Sequence, residues 1–120
     1  MLAAPMRRAT ESDPIAIDEL RQLARARFGD MVKAVVDLRR AVMLVDAEMH
    51  ADQEAELLGE GSAPRDLWGI NLYPDMAEAD WLEFDSMINL RPSFSNRSRG
   101  VDNEATREAI IGLVRRLVRR

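Results

Sequence analysis

Apolar residues recur at helical spacing in three segments of the chain. The first covers residues 18–28, where Asp18 can cap a helix and Gly29 can end it. The second covers residues 46–59, and the third follows Asp102, which can cap a last helix. We therefore predict three amphipathic α-helices. The apolar stripe of the third helix consists of Ile110, Leu113, Val114 and Leu117.

Four other segments are rich in β-branched residues or alternate between apolar and polar positions, and both patterns are typical of strands. Short polar interruptions divide them into two hairpins. Gly and Pro residues, Pro74 and Pro92 among them, mark where these segments end. The predicted strands are residues 31–38, 41–45, 67–73 and 81–90.

The predicted order αββαββα indicates an α+β fold. It is a four-stranded, mainly antiparallel sheet made of two β-hairpins, with three helices packed mainly on one face. Residues 1–14 show no periodicity and are expected to form a flexible N-terminal tail. The 120 residues, 47% of them apolar, suffice for one core. We therefore expect residues 15–120 to be a single α+β domain.

Composition excludes several classes of function. The chain has no cysteine, which rules out disulfides, thiolate metal sites and cysteine nucleophiles. It has no apolar stretch long enough to span a membrane and no signal-peptide pattern, so we expect a cytoplasmic protein without a membrane partner. The net charge of −4 argues against nucleic acid as the partner, because phosphate binding needs clustered cations.

The strand predicted over residues 81–90 carries an unusually polar face. Glu83, Asp85 and Asn89 project from the same side, and Asn71 in the preceding strand can join them. Together with His50, the only histidine, Glu83 and Asp85 are candidate ligands of a divalent cation or acid/base groups. The competing interpretation is a solvated sheet face with ion pairs, and a histidine on a helix surface.

A polar loop precedes the last predicted helix. It contains Asn96, Arg97, Ser98 and Arg99. Two guanidinium groups, a hydroxyl, an amide and free backbone N–H groups can converge there on an anion. No Gly-rich phosphate-binding motif accompanies them. The arginines can equally serve a structural role by pairing with acidic residues elsewhere.

Five sequence strings together resemble a known family of small prokaryotic proteins, catalogued only as a domain of unknown function. The resemblance covers about residues 17–118, nearly the whole of the predicted domain. It implies no activity, cofactor or catalytic residue. The strings are residues 28–37, Glu48-Met49-His50, residues 66–74, residues 83–92 and residues 96–101.

Three classes of function remain open from the sequence. The first is a module with a polar pocket that binds a small anion, such as a nucleotide or a phosphorylated metabolite. The second is a metal-assisted phosphoryl hydrolase or transferase with a divalent cation as cofactor. The third is a non-catalytic domain that forms homo-oligomers or binds other proteins. For the first class, the candidate ligand-binding residues are Asn71, Asp85, Asn89, Asn96, Arg97, Ser98 and Arg99.

Overall fold

The computed structural model describes residues 6–120. Over these residues the chain forms three α-helices and seven short strands. The helices are α1 (Ile17–Arg27), α2 (His50–Gly59) and α3 (Glu104–Leu117). The strands are β1 (Arg7–Ala9), β2 (Ile15–Ala16), β3 (Val32–Asp37), β4 (Val42–Val45), β5 (Leu67–Leu72), β6 (Leu82–Glu83) and β7 (Val118–Arg119). No helix of this described part has the length and apolar character needed to cross a membrane.

The main sheet has five strands in the order β1-β4-β3-β5-β6, and every neighbouring pair is antiparallel. At its centre, Val35 of β3 lies opposite Leu44 of β4 and Gly69 of β5. A separate parallel pair joins β2 to β7 near the two ends of the described chain. The predicted α+β class with three helices and a mainly antiparallel sheet is confirmed.

The predicted strand number is wrong, because the sheet has five strands rather than four. The additional strand, β1, lies within residues 1–14, the segment expected to be a flexible tail. Ala9 is fully buried opposite Met43, and the Arg7 guanidinium is 3.0 Å from the Glu19 carboxylate. A three-residue strand with two arginines is too short and too polar to produce an alternating pattern. Residues 1–5 of the predicted tail lie outside the described residues.

The strand predicted over residues 81–90 is also much shorter in the structure. Only Leu82–Glu83 pair as a strand, and Met87–Asn89 form a 3₁₀ turn. The turn begins because the Ser86 hydroxyl accepts a hydrogen bond from the Ile88 N–H at 3.3 Å. An alternating pattern cannot distinguish a continuous strand from one that a side-chain hydrogen bond interrupts.

All three predicted helix starts are displaced. Helix α1 begins at Ile17 after Ala16, so Asp18 lies inside its first turn and does not cap it. Helix α2 begins at His50 instead of Asp46, because Asp46 has a left-handed φ of 71° that does not continue into a helix. Helix α3 is capped by Asn103, whose Oδ1 accepts from the Thr106 N–H at 2.9 Å, and not by Asp102. The Asp102 carboxylate binds the preceding loop instead.

The helices lie on both faces of the main sheet. Helices α1 and α3 pack on one face, where Leu20 and Leu113 join a cluster that includes Val36 of β3. Helix α2 packs on the other face, where Leu57 contacts a cluster containing Val35. Because side chains alternate along a strand, Lys33 shares the second face with Val35. This α2 face contains the candidate functional site.

Candidate functional site

A cleft with a volume of about 470 Å³ lies on the α2 face. It is bounded by the N-terminal end of α2 and by polar side chains of β3, β5 and β6. We name it the His50–Asn71 cleft, after two buried polar residues that line it. Its polar lining includes Lys33, His50, Asn71, Glu83, Asp85 and Arg99.

Strand register brings three of these polar residues into one row. Lys33 of β3 lies opposite Asn71 of β5, and Asn71 in turn lies opposite Glu83 of β6. Directly opposite side chains in an antiparallel sheet stand within about 5.5 Å of each other at Cβ. The row therefore gives the cleft a floor with a cation, an amide and a carboxylate.

Asn71 is only 5% exposed, and its amide orientation is fixed by its neighbours. Its Nδ2 donates to Glu83 Oε1 at 2.8 Å and to the Asp85 carbonyl oxygen at 3.2 Å. Both partners can only accept, so the amide nitrogen must face them and the oxygen must face away. That oxygen, Oδ1, is buried and has no hydrogen-bond partner among residues 6–120. A buried acceptor without a donor is rare in folded proteins.

His50 is 6% exposed and occupies the first position of α2. Its Nε2 lies 2.8 Å from the Ile70 carbonyl oxygen. Because a carbonyl only accepts, Nε2 carries the proton, and Nδ1 of the neutral ring is an acceptor. Burial lowers the pKa of His50, although the Ile70 carbonyl, the Asp85 charge and the Asn71 amide partly offset this by raising the pKa. Lys33 lowers it further.

The lowered pKa of His50 predicts a loss of stability on mild acidification. The unfolded chain takes up a proton below about pH 6.5, whereas the folded chain resists it. The free energy of unfolding should therefore fall as the pH drops below this value, by up to about 1.4 kcal/mol per pH unit. Urea denaturation between pH 7.5 and 5.5 measures it.

His50→Gln is the matched control, because a glutamine amide can still donate to the Ile70 carbonyl but does not titrate. Its unfolding free energy should change less over the same pH range than that of the wild type. Equal slopes for the two proteins would show that His50 does not cause the acid sensitivity.

The carboxylates of the cleft have different partners. Asp85 Oδ1 lies 2.7 Å from Arg99 Nε, and Glu48 lies 3.7 Å from Arg27 Nη1. Glu83 Oε1 accepts from Asn71 and, at 3.2 Å, from the Tyr73 hydroxyl. Burial raises the pKa of Tyr73, and the adjacent Glu83 charge raises it further, so the phenol remains a donor. Among residues 6–120, Glu83 is the one carboxylate lining the cleft without an ion pair.

The loop predicted to bind an anion, residues 96–99, makes hydrogen bonds with its own neighbouring residues. The Asp102 carboxylate accepts from the Arg97 N–H at 2.7 Å and from the Ser98 hydroxyl at 2.5 Å. The Asn96 side chain is 2% exposed and donates to the carbonyl oxygens of Asn89, Ser98 and Gly100. An internal carboxylate thus occupies two of the loop's donors, the Arg97 backbone N–H and the Ser98 hydroxyl.

Asn89 is a structural residue as well. It is fully buried, and its side chain makes two hydrogen bonds with the backbone of Gly69 in β5. Of the predicted ligand-binding residues, the structure brings Asn71, Asp85 and Arg99 to the cleft, but it leaves Asn89, Asn96, Arg97 and Ser98 away from it.

The three predicted metal ligands, His50, Glu83 and Asp85, also line the cleft. Within the described part of the chain, no three His, Asp or Glu side chains are grouped so that they could hold a metal ion. Glu83 accepts from Asn71 and Tyr73, Asp85 pairs with Arg99, and His50 donates to a backbone carbonyl. Each group therefore has another partner.

A family model described as Protein of unknown function (DUF5674) matches residues 11–117. The chain belongs to this family. The match confirms the resemblance found in the sequence strings. No curated protein and no solved structure is significantly similar to the chain.

Sequence reasoning missed several residues of the cleft in this DUF5674 chain. Lys33, Tyr73, Ser86 and three methionines line it beside the predicted residues. Lys33 could have been found from the sequence, since a lysine flanked by apolar residues in a strand indicates an opening on that face. The methionines, which are Met31, Met49 and Met87, gave none, because isolated apolar residues near element ends have no period.

Proposed function

We propose that this DUF5674 chain is a small-molecule binding module whose ligand occupies the His50–Asn71 cleft. The observation that carries the proposal is the Asn71 amide oxygen, which is buried and unpartnered among residues 6–120 on a residue lining the cleft. Leaving such an oxygen without a donor costs about 1–3 kcal/mol, which a bound ligand recovers. The cleft volume of about 470 Å³ falls within the range of small-molecule sites.

The proposal keeps the binding module predicted from the sequence but moves its centre. The anion-binding hypothesis depended on converging donors of residues 96–99. Of these, the Arg97 backbone N–H and the Ser98 hydroxyl hydrogen-bond to Asp102, and the Arg99 guanidinium pairs with Asp85. Of the candidates that line the cleft, Asp85 and Arg99 pair with each other, and Asn71 keeps an acceptor without a partner among residues 6–120. Metal-assisted phosphoryl chemistry is not carried forward, because the described residues offer no group of three metal ligands.

A steric block of the cleft tests the proposal without touching its hydrogen bonds. Ala51 lines the cleft, whereas Ala55 is an exposed alanine of the same helix that does not. Ala51→Phe should fill the cleft, and Ala55→Phe is the matched control. Thermal unfolding is measured with a panel of amines, amino acids, nucleosides and nucleotides.

We expect a panel compound to raise the Tm of wild type and Ala55→Phe by about 5 °C at tenfold above its Kd. Ala51→Phe should lose that shift. A shift that survives in Ala51→Phe would place binding elsewhere, and a panel without any shift would overturn the proposal.

A further inference from the structure

We infer that the His50–Asn71 cleft selects ligands with a cationic nitrogen group: an ammonium, amidinium or guanidinium. The inference rests on the proposed function and specifies its ligand. It follows from the buried acceptor Asn71 Oδ1, whose amide is hydrogen-bonded to the Glu83 carboxylate, and from the His50 imidazole that lines the same cleft.

The Asn71 oxygen can be satisfied only by a donor. Reversing the amide would turn Oδ1 toward Glu83 Oε1 and the Asp85 carbonyl oxygen, which lie 2.8 and 3.2 Å from the present nitrogen. Oxygen would then face two acceptors, and both existing hydrogen bonds would be lost. The group that binds this side chain must therefore bring an N–H or O–H.

His50 adds a second acceptor to the lining of the same cleft. Its Nε2–H is committed to the Ile70 carbonyl, so the neutral ring offers Nδ1 as an acceptor only. The Asn71 amide lies close enough to affect the pKa of this ring. An ammonium or guanidinium, which carries several N–H groups, can donate to more than one acceptor at once.

Charge favours a cation over an anion. Glu48 pairs with Arg27 outside the cleft and Asp85 pairs with Arg99, so Glu83 and Lys33 are the charges of the lining that have no ion pair within residues 6–120. Arg99 is paired with Asp85, and the Lys33 ammonium lies 5.6 Å from the centroid of the Phe28 ring. Glu83 is left without an ion pair within the described residues and is hydrogen-bonded directly to Asn71. A cationic nitrogen bound to Asn71 is attracted by the negative charge of Glu83, whereas an anion is repelled by it.

The apolar part of the lining indicates a ligand with a hydrocarbon body. Met31, Met49 and Met87 line the cleft, and the last two are 55% and 62% exposed. Exposed methionines beside a polar floor offer adaptable apolar surface. Such a site accommodates an alkyl or aromatic amine better than a bare inorganic cation.

Three probes with one carbon skeleton test the charge preference. They are 2-phenylethylamine, 2-phenylethanol and phenylacetate, which are cationic, neutral and anionic at pH 7.5. Each is titrated into the full ¹⁵N-labelled chain, and binding is followed by the Asn71 side-chain amide signals. We expect the amine to bind at least tenfold more tightly than the alcohol, and the carboxylate to bind most weakly.

Glu83→Gln separates charge from structure, because glutamine keeps an oxygen that can accept from Asn71 and Tyr73. This variant should lose about tenfold in amine affinity with little change for the alcohol, as expected for the loss of one charge-assisted contact. Glu56→Gln, on the exposed surface of α2, should change neither.

Phenylacetate binding as tightly as the amine would overturn the inference and leave the proposed binding site intact. Absence of amine binding at millimolar concentration would also overturn it. In that case, a panel compound sensitive to Ala51→Phe would still support the proposed function, and no such compound would refute both.

Discussion

The Asn89→Asp variant should lose about 4 kcal/mol or more of unfolding free energy, because it places an uncompensated charge in the interior. Asn89 is fully buried, and its Oδ1 accepts from the Gly69 N–H at 2.8 Å. Its Nδ2 donates to the carbonyl oxygens of Gly69 and Arg99 at 2.9 and 3.0 Å. In aspartate, an oxygen replaces Nδ2 and faces both carbonyls. Urea denaturation at pH 7.5 measures the loss.

Asn103→Asp is the control with the same chemical change. Asn103 is an exposed N-cap, where aspartate performs as well as asparagine, so its stability should stay within about 0.5 kcal/mol of the wild type. Asn89→Ala should lie between the two, at about 2–3 kcal/mol, because it removes the hydrogen bonds without adding a charge. A loss for Asn89→Asp no larger than that for Asn103→Asp would contradict the assigned amide orientation.

The role of Asn89 explains why the sequence overpredicted the last strand. Its amide bonds both backbone groups of Gly69, as a neighbouring strand residue would. The chain beyond β6 therefore satisfies part of the edge of β5 without being a strand. Residue alternation over 81–90 correctly predicted that this segment lies beside β5, but it predicted the wrong backbone conformation. Periodicity does not reveal that a side chain, rather than the backbone, makes the hydrogen bonds to β5.

Long periodic segments were predictable because burial on one face leaves a repeated pattern. The core positions Leu113 of α3 and Val36 of β3 follow from such repeats, and both are buried as expected. Strand β1 was not predictable, since its burial rests on Ala9 alone and on ion pairs with residues distant in sequence. Contacts between segments far apart in sequence leave no local signal.

The candidate site was predictable in part, where a regular strand pattern determines which face a side chain occupies. Strand alternation grouped Glu83 with Asn71, and the two lie opposite each other in β6 and β5. Asp85, which follows the end of β6, lines the same cleft. The loop arginines were not separable by sequence: Arg99 reaches the cleft through Asp85, whereas the backbone of Arg97 binds Asp102. Whether Arg97 or Arg99 pairs with a given carboxylate depends on the geometry of the loop, and composition does not specify that geometry.

Gly69→Ala should cost about 3 kcal/mol, because the interior of the sheet leaves no room for a methyl group there. A Cβ at this position would lie 2.6 Å from both Cβ and Oγ of Ser86, and 3.1 Å from Cγ1 of Ile88. The same change at Gly112, in α3, meets nothing closer than 3.7 Å. Gly112→Ala should therefore stabilise the protein by about 0.5–1 kcal/mol, since alanine favours the helix.

A double-mutant cycle with Ser86→Gly identifies the contact responsible. Ser86→Gly removes both atoms of the closest clash and loses only the 3.3 Å hydrogen bond from the Ile88 N–H. In the Ser86→Gly background, Gly69→Ala should cost less than in the wild type, by a coupling of about 1–2 kcal/mol. Additive losses would mean that the clash lies elsewhere. A measured coupling would instead establish that Gly69 lets the segment carrying Ser86 and Asn89 approach β5, which holds Asp85 against the cleft.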